Sequence, residues 1–184
     1  MTITAPAAVE IVSRFEPGED GLASKSKDLV LGLLQQTQHP FSRTQFEPGH
    51  ITCTALVMHP SRPLVLLMHH HRLHRWLLPG GHVEPPDESL AAAAAREACE
   101  ETKVQLSRDF EPKLAGLDVH GIPGKRDEPY HLHHDLIWCF RALTEEIEQT
   151  DEAPEVMWAS AQDFLRLQLT ESIRRTALRT EVFS

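Results

Sequence analysis

The sequence lacks a hydrophobic run long enough to cross a bilayer. Its apolar runs are short, as in residues 64–68 (LVLLM), whereas a membrane-spanning helix needs about 20 consecutive apolar residues. The opening segment, MTITAPAAVEIVSRFEPGED, contains prolines and acids where a secretory leader has a basic stretch followed by an apolar one. We therefore expect a protein without a membrane partner, located in the cytoplasm.

Basic residues are also scarce. Lys and Arg total 18 against 27 Asp and Glu, which gives a formal net charge of −9 over 184 residues. Duplex DNA and similar polyanions are held largely by basic side chains that displace counterions. The charge balance therefore argues against a nucleic-acid polymer as partner. A small phosphate-bearing ligand stays compatible with it if a metal ion supplies positive charge.

Cysteine is rare and odd in number. Cys53, Cys99 and Cys139 are widely spaced and lie in apolar or helical surroundings. A disulfide framework normally uses an even number of cysteines in an oxidising compartment. We predict buried free thiols in a reducing compartment, which agrees with the cytoplasm.

The length and the 41% hydrophobic content predict one globular domain with an additional segment at one end. We place an N-terminal extension at residues 1–49 and the main domain at residues 50–184. Within the extension, residues 1–21 are interpreted as a loose arm or a short packed strand. A helix is predicted to begin at Ser24 or Ser26.

The main domain alternates β-rich runs with helical segments. Strands are predicted over residues 51–58, 64–68, 114–122, 131–143 and 156–158, and helices over residues 91–102, 161–167 and 171–180. The first two strands, separated by the turn sequence HPSRP, predict a hairpin or two adjacent strands.

Three glutamates share one face of the predicted helix over residues 91–102. Glu97, Glu100 and Glu101 fall within roughly 100° of one another at 3.6 residues per turn. Each like-charged pair at this spacing costs roughly 0.2–0.5 kcal/mol, so a solvated acidic face is a fair interpretation. The preceding Pro-Gly-Gly turn and the adjacent Arg96 favour a second one, a site for Mg²⁺ or Mn²⁺, which prefer hard oxygen ligands.

Residues 79–104, PGGHVEPPDESLAAAAAREACEETKV, resemble the Nudix box, whose pattern is G-x5-E-x7-R-E-U-x-E-E-x-G-U with U aliphatic. Gly81 opens the match, and its second half is Arg96, Glu97, Ala98, Glu100, Glu101 and Val104. The flanking segments WLLPGGHVEP and EAPEVMWASAQDFLRL resemble the family's strand and loop before the box and its closing strand and helix. The resemblance covers roughly residues 50–168.

The resemblance implies an α/β fold, a Nudix-type α/β/α sandwich around a mixed β-sheet, here with an N-terminal helical extension. It implies Mg²⁺-dependent or Mn²⁺-dependent hydrolysis of a diphosphate bond in a nucleoside diphosphate linked to another group. Nucleoside diphosphate sugars, ADP-ribose and modified nucleoside triphosphates all fit that class. Carried over by residue, Arg96, Glu97, Glu100 and Glu101 are the catalytic set. The three glutamates and the main-chain carbonyl of Gly80 are the metal ligands.

The match departs from the pattern at two positions. The first spacing is one residue longer, so Asp87 is the acid counted from Gly81 and Glu88 is the acid counted back from Arg96. We favour Glu88 as the partner of Arg96. Lys103 replaces the box glycine, so the resemblance does not say how the helix ends.

The sequence has twelve histidines, and seven of them fall in two dense groups, HHHRLH at residues 69–74 and HLHH at residues 131–134. A transition-metal site is one interpretation of these groups. We favour the other, polar residues of loops and strand ends.

One face of the strand over residues 131–143 is polar. His131, His133 and Asp135 share this face, and Leu132, Leu136, Trp138 and Phe140 share the other. Three polar groups cannot simply enter a dry core, so they should meet solvent, the loop over residues 121–130 or the substrate. We count His133 and Asp135 as substrate contacts, and Asp135 or Glu128 as an additional acid. Basic residues that could contact a phosphate, or serve as ordinary surface charges, are Arg72, Arg75, Lys125 and Arg126.

Two other functions compete with hydrolysis. A Nudix-fold sensor would bind such a ligand without turning it over, although a pure binder has no need of three clustered glutamates. An isopentenyl diphosphate isomerase would need a catalytic cysteine, and the motif places none of the three there. The N-terminal extension could cap the fold, cover the substrate or form a homodimer.

Overall fold

The structure is a computed structural model that describes residues 3–71, 73–125 and 128–183. Its helices are α1 (Ala5–Ser13), α2 (Gly21–Gln36), α3 (Leu90–Thr102), α4 (Ala161–Arg166) and α5 (Glu171–Arg179). Its strands are β1 (Gly49–Met58), β2 (Val65–His70), β3 (Arg75–Leu77), β4 (Gly80–His82), β5 (Lys113–Ile122), β6 (His131–Arg141) and β7 (Glu155–Ala159). The predicted contacts of Arg72 and Arg126 lie outside the described residues.

The strands form one mixed sheet in the order β3-β2-β1-β6-β5, with β4 paired to β1 and β7 paired to β2. The long central pair, β1 and β6, is parallel from Gly49 opposite Leu132 to Met58 opposite Arg141. The other pairs are antiparallel. β1 and β2 are the two adjacent strands predicted from residues 51–58 and 64–68.

Helices cover both faces of the sheet. On one face, residues of α1, α2 and α3 share a core with the odd-numbered residues of β1 and the even-numbered residues of β6, for example Val30, Ala94, Ile51 and Leu136. On the other face, α4 and α5 pack on Leu56 and Ile137 of the same strands. The predicted α/β sandwich around a mixed sheet is confirmed.

The N-terminal segment differs from the prediction, since α1 forms where a loose arm or strand was expected. Thr4 caps the helix by accepting a hydrogen bond from the Ala7 N–H, and Pro6 lies in the first turn, where a missing N–H costs nothing. Ala8 and Val12 are buried against the core. Burial of this face, rather than local propensity, holds the segment as a helix.

The helix α2 begins earlier than predicted. Asp20, not Ser24 or Ser26, is its N-cap and accepts hydrogen bonds from the N–H groups of Leu22 and Ala23 at 3.1 Å. The same carboxylate pairs with arginines of α5, a long-range contact that favours this cap and that spacing alone does not reveal. No helix among the described residues combines the length and the apolar character needed to cross a membrane.

Candidate functional site

The two residues that flank α3 cap its ends. Ser89 is the N-cap and accepts a hydrogen bond from the Ala92 N–H at 3.0 Å. Lys103 adopts the left-handed conformation, φ 57°, and its N–H donates to the Cys99 carbonyl. That conformation costs a residue with a side chain roughly 1–2 kcal/mol. Lysine thus ends the helix where the box pattern has glycine.

The apolar face of α3 lies against the sheet, and the three glutamates lie beside it at different depths. Ala94 and Ala98 are fully buried. Glu101 is buried too, with 6% of its surface exposed, whereas the Glu97 and Glu100 side chains are 15% and 61% exposed. The carboxylates therefore run from the sheet out to solvent.

The two glycines of β4 allow α3 to approach the sheet closely. The Gly80 N–H donates to Glu101 Oε2 at 2.9 Å, and a Cβ at Gly80 would lie 2.7 Å from the Cα of Thr54. A Cβ at Gly81 would lie 2.6 Å from Glu97 Oε1. Any side chain at either position would displace the backbone or a carboxylate of the cluster.

Arg96 joins the cluster to the loop before the helix. Its guanidinium donates to both carboxylate oxygens of Asp87, at 3.0 and 3.1 Å, and to the His82 carbonyl at 2.9 Å. It also contacts Glu97 at 3.0 Å and Glu100 at 3.1 Å. Arg96 can therefore orient two carboxylates from an anchored position.

The predicted partner of Arg96, Glu88, was wrong. Asp87 is buried, bonds Arg96 in the bidentate geometry and also accepts the Glu84 N–H at 2.7 Å, whereas Glu88 is exposed. Counting the spacing of the Nudix box from Gly81 therefore identifies the partner of Arg96 correctly as Asp87. The additional residue of this sequence lies after Asp87, at the entry to α3.

We expect Asp87→Asn to destabilise the protein and Glu88→Gln to leave its stability unchanged. The first substitution would remove the charge of the buried, bidentate partner of Arg96, at about 1–3 kcal/mol, or roughly 2–12 °C in Tm for a domain of this size. Thermal unfolding of both variants measures the difference. Equal shifts in the two variants would contradict the assignment of Asp87 as the anchor.

Two glutamates of the cluster, Glu97 and Glu101, have raised pKa values. Burial, together with the negative charges of Glu97 and Glu152, raises the pKa of Glu101 to about 8 against the Gly80 hydrogen bond. Burial also raises the pKa of Glu97 despite its contact with Arg96. At Asp87 the hydrogen bonds from Arg96 overcome the effect of burial and lower the pKa. The positive charge of Arg96 thus compensates Asp87 but not Glu101.

This imbalance fits a divalent cation. Three carboxylates supply hard oxygen donors on one helix face, and the deepest of them lacks a cationic partner in the hydrogen bonds that the structure describes for it. Mg²⁺ is bound in proteins through a few such carboxylates and substrate phosphates. Glu97, Glu100 and Glu101 could therefore hold such an ion, with Gly80 beside Glu101.

His133 and Asp135, predicted to contact substrate, lie on the far side of β4 from these glutamates. Gly81 faces Glu97, so the alternation of the strand turns His82 to the opposite face of the sheet. His133 lies beside His82 there. Asp135 is buried, and its Oδ1 accepts hydrogen bonds from the Thr52 and Thr54 hydroxyls at 3.0 and 2.9 Å.

The remaining predicted contacts lie further out. Arg75 begins the edge strand β3 and is exposed. Glu128 lies in the loop after β5 and exchanges backbone hydrogen bonds with Lys125. The charge of Glu128 acts on His50 and His82, which places it near the histidines of β1 and β4. The structure does not bring Arg75 or Glu128 into the hydrogen-bond network described for Arg96.

A cavity of about 1240 Å³ lies elsewhere, at the ends of β1 and β6 where Met58 and Arg141 stand. Its lining includes Phe15 and Arg179 but none of the predicted site residues that the structure describes. The cavity therefore does not coincide with the glutamate face of α3. We assign the candidate site by the chemistry of its residues rather than by cavity volume.

Comparison with known proteins agrees with this geometry. A family model described as NUDIX domain matches residues 49–179. No functionally curated protein gives a significant match to the sequence.

Solved structures share the fold over most of the main domain. The MutT protein from Methanosarcina mazei Go1 is 25% identical with a TM-score of 0.51, over 71% of this chain and 91% of that one. The NUDIX domain of Shewanella oneidensis NrtR, solved with ADP ribose, is 20% identical with a TM-score of 0.53, over 73% and 88%. The E. coli dihydroneopterin triphosphate pyrophosphohydrolase is 17% identical with a TM-score of 0.52, over 73% and 96%.

Proposed function

The chain belongs to the Nudix family and is a pyrophosphohydrolase of that family, and we propose that it hydrolyses a diphosphate bond in a nucleoside diphosphate linked to another group, with Mg²⁺ or Mn²⁺ as cofactor. The observation that carries the proposal is the carboxylate face of α3. Glu97, Glu100 and Glu101 stand together beside the Gly80 backbone, and Arg96 is fixed among them by the buried Asp87.

Each residue of the site has a proposed task. Glu97, Glu100, Glu101 and the Gly80 carbonyl would hold the cation, which when bound would neutralise the diphosphate and activate water. Arg96 orients Glu97 and Glu100 through charge-assisted hydrogen bonds. One glutamate accepts the proton of the attacking water. Glu100, the most exposed of the three, has the freest access to solvent.

The substrate class is proposed from chemistry that the similar proteins share. Nucleoside diphosphate sugars, ADP-ribose and modified nucleoside triphosphates each present a diphosphate to the cation. One similar structure was solved with ADP ribose, and another is a dihydroneopterin triphosphate pyrophosphohydrolase. The residues that would distinguish one of these substrates from another lie outside the Nudix box. His133, Asp135, Arg75 and Glu128 stay proposed substrate contacts, as does the cytoplasmic location, which three free cysteines support.

A substrate panel tests the proposal. Nucleoside diphosphate sugars, ADP-ribose, dinucleoside polyphosphates and nucleoside triphosphates are incubated with the protein in Mg²⁺, in Mn²⁺ and in chelator, and released phosphate and monophosphates are quantified. We expect metal-dependent cleavage of one class. Tight binding of a panel member without turnover would instead support a sensor, and neither binding nor turnover would refute the substrate class.

A further inference from the structure

Three histidines from three different strands converge on the sheet face opposite α3. His50 of β1 pairs with His133 of β6 in the parallel register, and His82 of β4 pairs with Thr52, two residues further along β1. One ring nitrogen from each histidine lies within 4.8 Å of the other two. The ring centroids are 4.8–5.3 Å apart.

One nitrogen of His50 is buried and unbonded. The His50 side chain is completely buried, and its Nδ1 lies 3.0 Å from the Gln45 carbonyl. A carbonyl oxygen only accepts, so Nδ1 carries the proton and Nε2 keeps a free lone pair. Nε2 has no hydrogen-bond partner among the described residues. A buried acceptor of this kind costs free energy unless something binds it.

The other two histidine rings lie against the His50 ring, with centroid distances of 5.0 Å for His82 and 4.8 Å for His133. Each neutral imidazole keeps a lone pair on one of its two ring nitrogens. His82 and His133 are only half-buried, which leaves the cluster open toward solvent on one side.

The chemistry of this donor set is that of a transition metal. Neutral imidazoles suit Zn²⁺ and its neighbours in the first row, whereas Mg²⁺ prefers oxygen. Ligands at 2.0–2.1 Å in a tetrahedron stand about 3.4 Å apart. The three ring nitrogens lie within 4.8 Å of one another, so small side-chain rotations would bring them to this distance. The Gln45 carbonyl already holds the His50 ring, as partners of metal-bound histidines commonly do.

We propose that His50, His82 and His133 form a site for a divalent first-row transition metal ion, with Zn²⁺ as its occupant, separate from the carboxylate face of α3. With three protein ligands, a fourth coordination position would remain for water or a ligand oxygen. Sites with three histidines and an open position are typical of zinc that takes part in chemistry or ligand binding. The proposal goes beyond the hydrolase function and does not depend on it.

Metal uptake by tag-free protein tests the site. After treatment with chelator and its removal, the protein is titrated with Zn²⁺ in excess Mg²⁺, which occupies oxygen-rich sites. We expect one Zn²⁺ per chain by elemental analysis after gel filtration, together with a higher Tm. X-ray absorption of the loaded protein should show imidazole ligands at about 2.0–2.1 Å.

Substitutions locate the bound ion. His82→Ala and His133→Ala should each weaken Zn²⁺ binding by more than about 100-fold, the upper end of what loss of a supporting partner costs. Both side chains are half-buried, so these variants should fold, unlike a change at the fully buried His50. His39→Ala, at an exposed histidine, is the matched control. Glu97→Gln should bind Zn²⁺ as the wild type does.

Three outcomes would overturn the proposal. These are uptake below one ion per chain, wild-type affinity in either cluster variant, and a loss of affinity in Glu97→Gln that equals or exceeds the loss in His133→Ala. The last result would assign the zinc to the carboxylates. Because the readout is metal binding, none of these outcomes depends on whether the substrate panel identifies a substrate.

Discussion

Glu101→Gln should lower metal-dependent turnover by about 10²–10⁴-fold, which corresponds to loss of about 3–5 kcal/mol of the stabilisation that a bound metal supplies, while the protein stays folded. The substitution removes the charge of the most deeply buried carboxylate in the site and keeps its shape. With its pKa raised to about 8, metal-free Glu101 is mostly protonated at neutral pH, and glutamine resembles that form. The amide oxygen can still accept the Gly80 N–H.

Turnover is measured in saturating Mg²⁺ on whichever substrate the panel identifies, with circular dichroism as the test of folding. Glu88→Gln is the matched control, because Glu88 is an exposed acid near the start of the same helix and bonds neither Arg96 nor Gly80 in the described structure. Full activity in Glu101→Gln would remove the proposed role of this carboxylate.

In chelator, the wild-type protein should lose stability relative to Glu101→Gln as the pH rises from about 4.5 to 8. Glu101 binds its proton more tightly in the folded state than at its ordinary pKa of 4.5, so the folded state carries more protons in this window. The free energy of unfolding then falls with pH, by about 1.4 kcal/mol per pH unit. For a domain of this size, this is about 3–6 °C in Tm per pH unit.

The difference between the two proteins isolates this group. His82 and His133 have pKa values lowered to about 4 and about 2, so they add stability above pH 6.5 that is lost on acidification, the opposite sign. These contributions are common to both proteins and cancel. Mg²⁺ should reverse the trend in the wild type only, since it binds the ionised carboxylates.

Tm is measured from about pH 5 to 9 in chelator and in Mg²⁺, a range that spans the raised pKa. Glu100→Gln is the control, because Glu100 lies on the same helix but its side chain is 61% exposed. Parallel Tm curves for wild type and Glu101→Gln in chelator would show that the Glu101 carboxyl is not held protonated by its surroundings.

The glutamate face was predictable because it is a local property of the chain. Helix periodicity alone brings Glu97, Glu100 and Glu101 together, and α3 forms from residues that favour helix, with Ser89 as its cap. The partner of Arg96 was not predictable in the same way. Asp87 and Glu88 are adjacent, and only the folded loop buries Asp87 and leaves Glu88 in solvent.

The N-terminal helix α1 shows the opposite case. Prolines and acids near the start of the chain favoured a loose segment, yet the core covers Ala8 and Val12 and makes a helix the stable form. Local propensity is a small term beside the burial of an apolar face. The prediction therefore failed where distant residues, rather than neighbours in the chain, supply the stabilising contacts.

The sequence by itself determined the resemblance to the Nudix box, which implied the mixed α/β sandwich, and the glutamate face of α3, which follows from a pattern spanning a few helical turns. The tertiary structure alone decided that Asp87 anchors Arg96, that β4 separates Asp135 from the glutamates, and that His50, His82 and His133 meet. The physical reason is strand register. The parallel pairing of β1 with β6 places residues 83 positions apart side by side, and no local pattern contains that information.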